Sequence, residues 1–139
     1  MSEPLFYVAP REALEYILAK GILVPKKVHA LVASGELPRE VIGVSYGDDI
    51  SKFPEHVSLL EMEFVTMMVA QQICFSRHEK YQDSNFAAIG FTISPEIRDL
   101  HGFRAEPPGE LYYHSEVLFK GDIPRELIHP NYFMVRTGP

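Results

Sequence analysis

A chain of 139 residues has the length of one domain, enough to bury roughly two thirds of its unfolded surface around a core of its own. With 46% hydrophobic and 23% charged residues, its composition excludes the disordered class. The net charge of −6, from 13 basic and 19 acidic residues, gives no global attraction for duplex nucleic acid or an anionic membrane.

A nucleic-acid substrate would therefore need a local basic patch, and two short groups qualify: Lys26-Lys27, and Arg77, His78 and Lys80. Cys74 is the only cysteine, which excludes an internal disulfide and a zinc cluster built on cysteines and fits a reducing cytoplasm. With His78 nearby, Cys74 admits a nucleophile reading beside the commoner one of a small apolar residue in a buried strand. Met1-Ser2-Glu3-Pro4 has no basic region followed by an apolar run, and no apolar stretch approaches about 18 residues. Neither a signal peptide nor a membrane span is expected.

Along the chain, Pro10 to Lys20 reads as a helix: Pro10 suits its start, Ala13, Leu14, Ile17 and Leu18 form an apolar stripe, and Gly21 stops it. Lys26 to Ser34 is a shorter helical pattern ending near Gly35, and Val41 to Tyr46 reads as a strand closed by Gly47-Asp48-Asp49. Glu55 to Ala70 carries two signals. Val57, Leu60, Phe64 and Met68 keep helical spacing, whereas Leu60, Met62 and Phe64 alternate with Glu61 and Glu63 as a strand would. Length without Gly or Pro favours helix, with Met67 and Met68 filling gaps in a core.

Ile73 to Ser76 and Phe86 to Ile93 read as strands around a polar loop, and Ser94-Pro95-Glu96 is an N-cap followed by Pro at the first helical position. Phe103 to Gly109 is a Pro-rich loop. After a strand beginning at Leu111, Gly121-Asp122 makes a turn, Pro124 opens one helical turn through Leu127, and Tyr132 to Arg136 forms a last strand. The sum is α+β, with helices ahead of most strands, no repeat and no low-complexity tract.

The most informative residue is Glu116, inside Leu111-Tyr112-Tyr113-His114-Ser115-Glu116-Val117-Leu118-Phe119. Strand alternation puts Tyr112, His114, Glu116 and Leu118 on one face. Residues two apart on a strand lie roughly 6.5–7 Å apart, so His114 and Glu116 can touch one small ligand. The plain alternative is an edge strand with a solvated polar face.

Two segments carry a resemblance. Leu5 to Ile22 resembles the opening of NAD-dependent ADP-ribosyltransferases of the DarT type, where a strand ending in a His-x-Thr motif runs into a helix and then a glycine. Tyr7 stands at the position of the NAD-binding His, Ala9 at that of the Thr, and Ala13 where an Asn is usual. His114 to Ile128 is similar to the family's late strand with its catalytic Glu, a short turn, a Pro and an apolar helical turn, and it selects the same Glu116. Ile73 to Arg77 corresponds to a strand and loop that carry an Arg in such enzymes, with the spacing from Phe75 to Arg77 one residue short. About a third of the chain is covered, and the regions that grip single-stranded DNA in longer relatives have no clear counterpart.

The resemblance implies a single ADP-ribosyltransferase-like domain over residues 1–139, with a mixed or antiparallel split sheet flanked by short helices. It implies NAD as substrate, Glu116 and His114 as catalytic residues, and Tyr7, Ala9, Ser76, Arg77, His78, Tyr112 and Tyr113 at the cofactor. Breaking the nicotinamide–ribose bond builds positive charge on the ribose, which a carboxylate stabilises while orienting or deprotonating the acceptor. A Tyr ring stacks on nicotinamide, and an Arg holds pyrophosphate or acceptor. The acceptor, nucleic acid or protein, is left open. An unregulated enzyme of this kind would be toxic, so a neutralising partner protein is a further expectation.

Each of these residues also has a plain reading: Tyr7 and Tyr113 as core aromatics, Arg77 and His78 as solvated loop residues. The substitutions at the His, Thr and Asn positions keep open a second class of function, a non-catalytic relative used as a binding module. A third is a hydrolase of phosphodiesters, with a metal held by His78, His114 and Glu116. No Gly-rich run followed by Lys and Ser or Thr is present, which sets aside kinase-like phosphate loops.

Overall fold

A computed structural model describes residues 4–42, 53–60, 87–100, 103–104 and 116–136. Six strands, β1 (Leu5–Pro10), β2 (His56–Leu60), β3 (Ala87–Ile93), β4 (Phe103–Arg104), β5 (Glu116–Lys120) and β6 (Ile128–Arg136), form one sheet in the order β4-β5-β2-β1-β3-β6. Two helices, α1 (Leu14–Lys20) and α2 (Pro25–Ala33), stand between β1 and β2 in the chain. The protein is therefore α+β. Every described strand pair is antiparallel, where the sequence reading left a mixed sheet open.

Alternation along the strands builds the core. Leu5, Tyr7 and Ala9 of β1, Val57 and Leu59 of β2, Ile89, Phe91 and Ile93 of β3, and Val117 and Phe119 of β5 belong to one buried cluster with Ala13, Ile17 and Val28. Side chains two apart on a strand share a face, so this is the face that the N-terminal helical segments cover. The opposite alternation is not fully polar: Val8, Leu60 and Leu118 are buried as well.

The two halves of the sheet, β4-β5-β2 and β1-β3-β6, meet at β1 and β2. Among the described residues that junction has the single register pair Phe6↔Leu60. By contrast, β1 and β3 are paired from Leu5↔Ile93 through Pro10↔Ala88.

The N-terminal helix begins as a single 3-10 turn, Arg11–Ala13, after Pro10, and continues as α1 to Lys20. Gly21 ends it with φ 85° and accepts no side chain there, because the chain folds straight onto the segment after β5. Ile22 and Ile123 form an isolated antiparallel bridge, with Ile22 N–H donating to Ile123 O at 3.0 Å and Ile123 N–H donating to Ile22 O at 2.9 Å. The Arg125 guanidinium donates to the carbonyl of Ala19 at 3.3 Å, covering one of the carbonyls that the end of α1 leaves without an intrahelical partner. Pro25 sits at the start of α2, and Gly35, at φ 83°, ends the turn after it.

Three expectations are corrected. His56–Leu60 is a strand and not the start of a helix over Glu55–Ala70; period-two alternation of Val57 and Leu59 wins because β1 and β5 offer pairing on both sides. Residues 61–70 lie outside the described residues. Val41 does not open a strand to Tyr46 but closes a 3-10 turn, Arg39–Val41, that follows Pro38 and buries Val41, while residues 43–46 lie outside the described residues. Within the expected Pro-rich loop, Phe103–Arg104 pairs with Phe119 and Leu118, so β5 is flanked on both sides and is not an edge strand. The expected strand at 73–76 lies outside the described residues.

Candidate active site

Glu116 is the first residue of β5. Its register partner on β2 is Leu60, Leu60 pairs with Phe6 of β1, and Phe6 pairs with Thr92 of β3. One row across four strands thus runs Glu116, Leu60, Phe6, Thr92. With strands about 4.8 Å apart, the backbone of Glu116 stands about 10 Å from that of Phe6. Residues 5–22 and 116–128, more than ninety positions apart in the chain, meet in this row.

Glu116 is a register neighbour of buried Leu60, in an interior strand whose following residues, Val117, Leu118 and Phe119, are all buried. Glu116 thus stands at the head of the apolar run Val117–Phe119. Leu60 comes to it only through the pairing of β2 with β5; within β2 the local signal is the alternation of Val57 and Leu59, against the helical spacing of Val57, Leu60, Phe64 and Met68.

Tyr7 and Ala9 alternate with Phe6 and Val8 along β1 and so share the other face of the strand. Tyr7 pairs with Phe91 and Ala9 with Ile89, and both side chains are in the main core cluster, with Tyr7 only 1% exposed. Tyr7 is thus a core aromatic, one of the two largest fully buried side chains among the described residues, together with Phe91. Ala13, the last residue of the 3-10 turn that begins the N-terminal helix, is likewise buried. Ser76, Arg77, His78, Tyr112, Tyr113 and His114, with Cys74, lie outside the described residues.

The turn behind β5 is held firmly. Gly121 N–H donates to the carbonyl of Glu55 at 2.9 Å, and one carboxylate oxygen of Asp122 accepts from Val24 N–H at 2.9 Å. The other accepts from Lys27 Nζ. Ser94 N–H donates to the carbonyl of Leu127 at 2.7 Å, tying the end of β3 to the 3-10 turn Arg125–Leu127. The strand that begins with Glu116 is therefore anchored at its far end to β2, α2 and the end of α1.

Among the described residues no group of three or more His, Cys, Asp or Glu is arranged to hold a metal ion. Among them, too, no helix is long and apolar enough to cross a membrane. No protein-family model matches the chain, and no curated protein matches it.

Proposed function

We propose that the chain is an ADP-ribosyltransferase-like protein that uses NAD to modify a nucleic-acid or protein acceptor, with Glu116 as its catalytic carboxylate. The observation that carries this reading is the row Glu116, Leu60, Phe6, Thr92, which unites the strand-to-helix opening with the late strand, turn and Pro. Glu116 would stabilise the positive charge that develops on the ribose as nicotinamide leaves, and would orient the acceptor or take its proton. Burial of Tyr7 gives the nicotinamide contact in this reading to Tyr112 or Tyr113, with His114, Ser76, Arg77 and His78 as the remaining polar contributors.

The test is calorimetric titration of NAD into the wild-type chain and Glu116→Gln, with nicotinamide release followed in the same samples. Saturable binding by both, with release in the variant reduced by a factor on the order of 100 or more, supports the reading. No binding by either overturns it.

A second reading, a non-catalytic relative acting as a binding module, is favoured by one observation. The side chains at the positions of the family's His, Thr and Asn, namely Tyr7, Ala9 and Ala13, are all buried in the core. A chain that fills those positions with core has given them to stability, and its recognition surface would then lie elsewhere. The same titration separates the two.

A further inference from the structure

A groove of about 370 Å³ opens between the first turn of α2 and the turn after β5. Val24, Lys26, Lys27 and Ala30 line it from the side of α2, and Lys120, Gly121 and Asp122 from the turn after β5, with Glu55 hydrogen-bonded beside Gly121. The protein carries a net charge of −6, yet three of its thirteen basic residues share this one rim. Lys26 and Lys27 stand out in the sequence as a short basic pair; the fold adds Lys120, ninety-four positions beyond Lys26.

The walls are fixed by the backbone. Lys26 N–H donates to the carbonyl of Pro54 at 3.0 Å, Gly121 N–H to that of Glu55 at 2.9 Å, and Val24 N–H to Asp122 Oδ1 at 2.9 Å. Three segments distant in the chain are thereby tied together around the groove, so its shape exists before any ligand arrives. The Asp122 carboxylate already serves Val24 N–H and the Lys27 ammonium. Among the described residues, neither Lys26 nor Lys120 forms an ion pair. Both are exposed. With Asp122 and Lys27 balancing each other, Lys26 and Lys120 stand against Glu55, an excess of one positive charge.

Exposed Ala30 and the lysine stems give the groove apolar surface, and Val24, only 5% exposed, backs it from the core. The volume is at the lower end of the range for small-molecule sites, roughly 300–1,000 Å³. We propose that this groove binds a small phosphomonoester with a ring-sized organic body, of the size of a nucleoside monophosphate. Lys26 and Lys120 hold the phosphate, and the organic body lies on Ala30 and the lysine stems. Lysine ammonium groups are compact point charges suited to phosphate, and an apolar floor adds discrimination against the bare anion. The site uses none of the residues assigned to NAD, and it stands whether or not the transferase reading does.

The test is titration of the full-length, isotopically labelled chain with adenosine monophosphate, followed by amide chemical shifts, with adenosine and inorganic phosphate as the two halves of the probe. The expected result is saturable shifts centred on the amides of Val24, Ala30 and Gly121, with each half binding more weakly than the whole. Lys26→Gln combined with Lys120→Gln should weaken binding by about tenfold or more, and Glu116→Gln should leave it unchanged. Shifts that centre elsewhere, that are unaffected by the lysine substitutions, that are lost in Glu116→Gln, or that are matched by inorganic phosphate alone would overturn the proposal.

Discussion

A Cβ atom on Gly21 would stand 2.3 Å from the carbonyl oxygen of Ile123 and 3.0 Å from the backbone nitrogen of Arg125. Both obstacles are main chain, held by the paired hydrogen bonds between Ile22 and Ile123, so neither can rotate away. Gly21→Ala should therefore cost about 3 kcal/mol or more, from positive-φ strain added to forced separation of two backbones. Gly35 supplies the control. Its φ is nearly the same, 83°, but nothing lies within 4 Å of the added atom. Gly35→Ala should cost only the strain, about 1–2 kcal/mol. Urea denaturation of both variants measures the difference, and equal losses would remove the backbone contact from the explanation.

Asp122 joins a backbone bond and a surface ion pair, and the two should separate by mutation. Lys27 is well exposed, with 62% of its side chain accessible, so Lys27→Gln should cost less than about 1 kcal/mol and become neutral at high salt. Asp122→Ala also leaves Val24 N–H without its acceptor and should cost about 1–2 kcal/mol, with little salt dependence. Asp122→Asn, which keeps an acceptor oxygen, should recover part of that loss. Thermal melts at low and high salt distinguish the three.

Burial makes Tyr7 a residue of the fold before anything else. Tyr7→Ala should destabilise by about 3–5 kcal/mol, as large-to-small changes in a packed core do. Leu18→Ala, on the exposed side of α1 at 41% accessibility, should stay within about 0.5 kcal/mol. Should Tyr7→Ala instead leave stability intact while abolishing NAD binding, the core role assigned to its ring would be wrong.

Much of the local structure is legible in the residues that form it. Gly21 and Gly35 stop their helices, Pro95 opens a turn, and Ile89, Phe91 and Ile93 alternate through β3, because each signal depends on a few neighbours in sequence. Where two periods coexist, at 55–60, partners distant in the chain decide, and those cannot be read locally. β6 shows the same limit: it begins at Ile128, four residues ahead of the expected start, and runs through Pro130 because an edge strand tolerates a missing N–H. Glu116 could be picked out as a carboxylate in an apolar strand, whereas its neighbours in the row could not, since Leu60 and Phe6 come to it only through β pairing. Lys120 joined Lys26 and Lys27 by the same route.

Ser94 caps the 3-10 helix Pro95–Asp99 through its hydroxyl oxygen, which accepts from Glu96 N–H at 3.3 Å. Ser94→Ala should cost about 1 kcal/mol, and Ser94→Asp, which restores an acceptor, should not. Hydrogen exchange at the Glu96 amide should quicken in the alanine variant alone. Unchanged exchange there would mean that the hydroxyl contributes nothing to the turn.

β1, ahead of the other described strands in the chain, is an interior one, and its partners come late. β1 waits for β2, then for β3 at residues 87–93, and the end of α1 gains its contacts with Ile123 and Arg125 only when these have been made. With loop closure of this length to complete before native pairing is rewarded, folding should be slow. A nascent chain stopped before residue 116 would hold Leu5, Tyr7 and Ala9 without β5 or β6 in place. During synthesis such a strand is a natural target for chaperones.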